Sequence, residues 1–110
     1  MLGKNIETMN QLEILENTGK LKDIFLAHKV KKAYFFGSIC TEKFTNQSDV
    51  DFLIAFDNKL EPIEYGDLYF SLLDSLRGYL KRDIDLITEC TLRNPYFIKI
   101  INRTKKKIYE

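Results

Sequence analysis

No stretch of this sequence stays apolar long enough to cross a bilayer as a helix, which takes about 20 predominantly apolar residues in a row. Charge of one sign is also missing. Lys and Arg number 17 against 16 Asp and Glu, a net of +1, so a protein that holds nucleic acid by bulk electrostatics is excluded and any polyanion contact has to be local. Cysteine is scarce. Cys40 and Cys90 would suffice for a single disulfide, but nothing at the start resembles a signal peptide, and the simpler expectation is a cytoplasmic chain with two free thiols. Internal repeats and low-complexity tracts are absent too. The single histidine, His28, has no second ligand near it in sequence and reads as structural or exposed.

What is present is ordinary globular material. Hydrophobic residues make up 45% and charged residues 30% of 110 positions, enough for one domain, residues 1–110, that buries about two-thirds of its unfolded surface. Ile6, Met9, Leu12, Ile14 and Leu15 precede Asn17-Thr18-Gly19, and Leu21, Ile24, Phe25, Leu26 and Val30 follow it; the spacings predict two short helices broken at that interruption. Ala33-Tyr34-Phe35-Phe36, ended by Gly37, reads as a strand. Val50 to Phe56 is apolar on both alternating faces past Asp51, as in a central strand covered on both sides. Asp57-Asn58-Lys59 reads as a loop, and Pro62 suits the first turn of a helix over 63–80 with Tyr65, Leu68, Tyr69, Leu72, Leu73, Leu76, Tyr79 and Leu80 on one face. A third strand is expected over Asp83–Thr88 and a helix from Arg93 to Arg103; the last five residues read as a short edge strand or a tail.

A strand, a long helix and a further strand form the crossover that makes two strands parallel. Asp49 and Asp51 enter the second strand and Asp85 enters the third, so adjacent parallel strands would gather three carboxylates at one end of the sheet. Asp49 and Asp51, two apart, point to one face of an extended backbone. Gly37-Ser38 ends the first strand and joins this group only if that strand runs antiparallel to the second, which makes the sheet mixed. Carboxylates about 4 Å apart repel by roughly 4 kcal/mol per pair at an effective dielectric near 20. Such a cluster wants a hard cation, Mg²⁺ or Mn²⁺, and a pair of ions is a known clamp for in-line displacement at phosphorus. Glycine admits a phosphate close to the backbone, and serine could cap the next helix while offering its N–H and hydroxyl. Taken singly, each feature has a plainer reading: Gly-Ser as a strand end with a helix cap, Asp-x-Asp as a turn into a strand. Asp83 competes with Asp85, and the run Arg103, Lys105, Lys106 and Lys107 reads as solvated surface that could touch tRNA or another polyanion.

"FFGS" followed by "SDVDFLI" and later "DIDLIT" resembles the nucleotidyltransferase superfamily typified by DNA polymerase beta, and within it the minimal nucleotidyltransferases. The similarity runs from about Leu21 to Tyr109 and implies an α+β fold, a small mixed β-sheet with flanking helices. It implies that Gly37 and Ser38 bind the nucleotide phosphates, that Asp49, Asp51 and Asp85 are the catalytic and metal-holding carboxylates, and that Asp85 helps to activate the attacking hydroxyl. Two Mg²⁺ or Mn²⁺ ions and ATP follow as cofactors. Where that family often has Ala-Arg-Gly after Gly-Ser-x, this chain has Cys40-Thr41-Glu42, with Lys43 as a point charge in place of the arginine fork.

The activity implied is transfer of a nucleoside monophosphate, AMP from ATP, to a hydroxyl. The biological setting implied is the antitoxin of a HEPN-family toxin that is neutralised by binding and AMP transfer. Two alternatives stand beside it: an enzyme acting on tRNA or a small molecule, and a binding-only antitoxin whose site has decayed. Oligomeric state is not legible.

Overall fold

The structure, a computed structural model, describes residues 9–57 and 59–110. Ile6 and Asn58, which belong to the expected first helix and first loop, lie outside the described residues. Ten residues into the chain, Asn10 opens helix α1 (Gln11–Glu16) with a reciprocal cap: its side chain accepts the Glu13 N–H, and its own N–H donates to the Glu13 carboxylate at 2.9 Å. Helix α2 (Gly19–Ala27) follows the Asn-Thr-Gly break, and Lys29 turns the chain at φ 60° into strand β1 (Val30–Phe36). Strand β2 (Val50–Phe56), helix α3 (Pro62–Leu80), strand β3 (Ile84–Thr88), helix α4 (Pro95–Thr104) and strand β4 (Lys106–Tyr109) complete the fold.

Pro62 sits in the first turn of α3, where its missing N–H is no loss, and Lys81 closes that helix in the left-handed region at φ 57°. Helix α4 starts two residues later than Arg93 because Asn94 caps it, accepting from the Tyr96 and Phe97 N–H groups, with Pro95 in the first turn. The expected ambiguity at the end resolves as an edge strand: β4 pairs antiparallel with β1.

Strand order is β3-β2-β1-β4, with β1 antiparallel to both β2 and β4 and with β2 parallel to β3. The crossover through α3 thus gives the parallel pair expected of it, and β1 supplies the antiparallel partner that makes the sheet mixed. Side-chain alternation divides the sheet into two unlike faces. Phe35, Val50, Phe52, Ile54, Ile84 and Leu86 pack with Phe25, Leu72, Leu76 and Leu80 into the main core beneath α2 and α3. Tyr34, Phe36 and Leu53 form a smaller cluster with Ile101 of α4 on the other face. No helix among the described residues is long and apolar enough to cross a membrane.

Candidate active site

Asp51 and Asp85 belong to the thinner face, since they alternate with Phe52 and Leu86 of the main core. The β2–β3 register sets Asp51 directly beside Asp85, and the β1–β2 register sets Asp51 opposite Phe36, whose successor is Gly37. One residue therefore touches both halves of the sequence motif. Gly37 has φ 76°, a conformation that L side chains rarely adopt, and a Cβ added there would overlap Asp51 Oδ2. Glycine is required at this position because the Asp51 carboxylate occupies the space a side chain would need.

Asp51 is half-buried and its carboxyl is pushed up to about 6, first by burial and then by the charges of Asp85 and Asp49. The charges of both neighbouring aspartates thus bear on Asp51. Asp49, just ahead of β2, and Asp85 are exposed. Asp83 is exposed too, and its carbonyl accepts from the Val50 N–H at 3.1 Å, a link that aligns the two strand entries.

Ser38 departs from expectation. It lies inside a single 3₁₀ turn, Gly37–Cys40, which Phe36 precedes without a side-chain cap, so it does not cap a longer helix. Its carbonyl accepts from the Thr41 N–H and hydroxyl, both at 2.9 Å, which closes the turn and leaves the half-buried serine at the rim beside Gly37. Cys40 is half-buried; burial raises its thiol pKa, Lys106 lowers it and Asp51 raises it. Glu42 and Lys43, where the arginine fork would fall, are exposed.

Among the described residues no trio of Asp, Glu, His or Cys side chains is gathered tightly enough to chelate an ion alone. A donor set of loosely grouped carboxylates fits Mg²⁺ or Mn²⁺, which take one or two carboxylates and complete their shells with water and phosphate oxygens, better than it fits an ion needing an all-protein cage. Asp51, ionising with difficulty and already packed on Gly37, is the carboxylate whose charge a cation would relieve most.

Two features escaped the sequence reading. Arg82 is buried and reaches across to the connection that precedes Asp49; nothing in its neighbourhood in sequence distinguishes it from an ordinary turn residue. A cleft of about 320 Å³ lies between α3 and the free edge of β3, lined by Tyr65, Tyr69, Phe70, Leu86, Ile87 and Thr88 among others. Tyr69 donates to the Leu86 carbonyl at 2.6 Å, and its hydroxyl pKa is raised by burial and then by the charge of Asp85. His28 links α2 to α3, its ring meeting the Ile24 carbonyl at 2.7 Å and the Ser71 hydroxyl at 3.0 Å, in keeping with a structural role. The thiols of Cys40 and Cys90 are both free.

The family model described as polymerase beta, nucleotidyltransferase, matches residues 19–110. The chain belongs to this nucleotidyltransferase family. Its relatives include two candidate protein adenylyltransferases of Methanocaldococcus jannaschii. One is 35% identical over 87% of this chain and 93% of its own length, the other 38% identical over 81% and 88%. In fold the nucleotidyltransferase is similar to a candidate minimal nucleotidyltransferase, with a TM-score of 0.67 at 20% identity over 89% of this chain and 95% of that one. It is also similar to a toxin-antitoxin structure containing AMP-PNP (TM-score 0.66, 20% identity, 84% and 72% covered). A third similar structure is a tri-AMPylated Shewanella oneidensis HEPN toxin in complex with an MNT antitoxin (TM-score 0.60, 20% identity, 91% and 71% covered). The α+β sheet with flanking helices is thus the fold of the minimal nucleotidyltransferases.

Proposed function

We propose that this nucleotidyltransferase acts as a single metal-dependent domain that moves AMP from ATP to a hydroxyl on a partner protein and releases pyrophosphate. The observation that carries the reading is the placement of Asp51 beside Asp85 and against a side-chain-free Gly37. Asp49, Asp51 and Asp85 would hold two Mg²⁺ or Mn²⁺ ions, which supply charge neutralisation on the triphosphate and on the developing oxyanion. Gly37 and Ser38 would bind the nucleotide phosphates through their backbone N–H groups, with the Ser38 hydroxyl as a further donor. Asp85, which is exposed, would accept the proton of the incoming hydroxyl as its oxygen bonds to the α-phosphorus and the α–β phosphoanhydride bond breaks.

A protein acceptor fits a small domain whose described cleft of about 320 Å³ is open and apolar. The relatives of M. jannaschii and the AMPylated toxin complex favour the same acceptor class, so the partner we propose is a HEPN-type toxin and the setting a cytoplasmic toxin-antitoxin pair. RNA is the less favoured acceptor given a net charge of +1. The binding-only reading has one observation in its favour, the exposed Cys40-Thr41-Glu42-Lys43 segment without an arginine. Against it, a chain that only binds has no use for a left-handed glycine packed on a half-buried carboxylate.

The test is incorporation of α-labelled ATP into protein and RNA, with Mg²⁺ present or chelated, using the chain and any co-encoded helical neighbour. Metal-dependent label on the neighbour, lost in Asp49→Ala/Asp51→Ala, is expected. A folded complex that takes up no label, and a double variant that neutralises the partner as well as wild type, would establish binding alone.

A further inference from the structure

Arg82 is a charged side chain in the buried set, only 9% exposed, and it faces no carboxylate within ion-pair distance among the described residues. Its guanidinium spends its donors on backbone instead. Nη1 donates to the Thr45 carbonyl at 3.1 Å and the Ser48 carbonyl at 2.6 Å, Nη2 donates to the Met9 carbonyl at 2.7 Å, and the group rests 4.6 Å from the centre of the Phe44 ring. Nε is buried without a partner. Burying a guanidinium against carbonyls alone is an expensive way to close a turn, so its placement calls for a reason beyond packing.

The carbonyls it holds supply that reason. Asp51 is fixed by ladders on both sides, to β1 and to β3. Asp49 has neither, because it lies ahead of β2 at the end of the connection that begins at Gly37. Ser48 is its immediate predecessor, and tying the Ser48 carbonyl fixes the peptide plane from which the Asp49 side chain departs. The other limb of the connection is tied in the same manner from outside: Gln11 Nε2 donates to the Ile39 carbonyl at 2.8 Å and the Thr41 carbonyl at 2.6 Å. Gln11 opens α1, two residues after the Met9 carbonyl that Arg82 holds, so the two anchors are themselves joined. Gln11 also lies before the matched residues 19–110.

We infer that Arg82 and Gln11 are positioning residues that clamp the two limbs of the connection from Gly37 to Asp49, and so hold the Asp49 carboxylate in register with Asp51 for the metal. The inference rests on the metal-site reading above. Lysine at 82 keeps the charge but loses the planar fork that reaches three carbonyls at once, which makes Arg82→Lys the informative change.

Mn²⁺ affinity, from water-proton relaxation, and backbone hydrogen exchange are to be measured on the full chain as wild type, Arg82→Lys, Gln11→Leu and, for a loss of stability remote from the site, Leu76→Val. The expected result is a Mn²⁺ dissociation constant raised about tenfold in Arg82→Lys, with faster exchange confined to residues 45–50. Gln11→Leu should give a smaller rise, about threefold, with faster exchange at 39–41, and it serves on its own if Arg82→Lys does not fold. Leu76→Val should leave the affinity unchanged. An Arg82→Lys or Gln11→Leu protein that binds Mn²⁺ as wild type does, or that loses affinity only as Leu76→Val does, overturns the inference. Failure of the wild type itself to bind Mn²⁺ overturns the metal-site reading and the inference together, and is told apart by arising before any substitution.

Discussion

The two faces of the sheet are built to different ends. Beneath α2 and α3 the apolar residues of β1, β2 and β3 are buried, with Phe25, Phe35, Phe52, Leu72, Leu76 and Leu80 among the fully buried side chains. The opposite face has one short helix over it, and its buried apolar set is small: Tyr34, Phe36, Leu53 and Ile101. Asp49, Asp51 and Asp85 sit at the strand entries, with Asp51 and Asp85 on this face. Stability is concentrated on one side of the sheet and polar chemistry on the other, so the strands can hold like charges near one another without opening the main core. Asp51 is where the two demands meet, since it lies in the sheet yet carries a carboxylate that burial and its neighbours push up to about 6.

That contrast breaks most sharply in the main core. Phe52→Ala should cost about 3–5 kcal/mol of unfolding free energy by urea titration, while the affinity of the folded fraction for Mn²⁺ stays as in wild type. Leu53, its neighbour on the thinner face, is almost as buried, but Leu53→Ala should cost less, about 2 kcal/mol, because fewer side chains surround the space it leaves. Equal costs would show that the two faces contribute alike.

Gly37→Ala probes the junction between sheet and site. The positive φ alone costs about 1–2 kcal/mol for an alanine, and the overlap with the Asp51 carboxylate adds to it. In an Asp51→Ala background the second part should disappear, so a double-mutant cycle should return a coupling of about 1 kcal/mol. Additive effects would mean that Gly37 answers only to backbone conformation.

Asp51→Asn gives the smallest change and the one with a defined pH dependence. A carboxyl whose pKa is about 6 in the fold, against 3.8 in its ordinary state, favours the fold while protonated. That contribution is fully present below the lower value and is lost as pH rises through about 6. Asparagine imitates the protonated form. The variant, free of metal, should therefore be more stable than wild type at pH 7.5 by about 1 kcal/mol once solvent screening of the half-exposed group is allowed for, or about 5 °C in melting temperature. At pH 3 the two should melt together. Added Mg²⁺ should close the gap from the wild-type side by stabilising the ionised Asp51.

How much of this could be read from the sequence follows from the same contrast. Alternation in Val50–Phe56 and the helical face of 63–80 report burial, and burial is what builds the main core, so the order of elements, the parallel pair and the mixed sheet were all legible. The neighbourhood of Asp51, Asp85 and Gly37 followed once the crossover fixed the register. The Gly37–Cys40 turn did not, because a single 3₁₀ turn and the first turn of a longer helix look alike in four residues. The Asn10–Glu13 cap was visible as a three-residue spacing and would have placed the start of α1. Arg82 carried no signal at all: its partners are carbonyls 34, 37 and 73 residues away, and backbone carbonyls leave no mark on residue identity.

The central claim is that Asp49, Asp51 and Asp85 form one metal site at the rim of the thinner face. Titrating Mn²⁺ into wild type and into Asp49→Asn, Asp51→Asn and Asp85→Asn, each with and without a non-hydrolysable ATP analogue, tests it most directly. The account predicts binding that the analogue strengthens in wild type and that every single variant weakens by at least about tenfold. Binding that is unchanged in all three variants, or indifferent to the analogue, would contradict it.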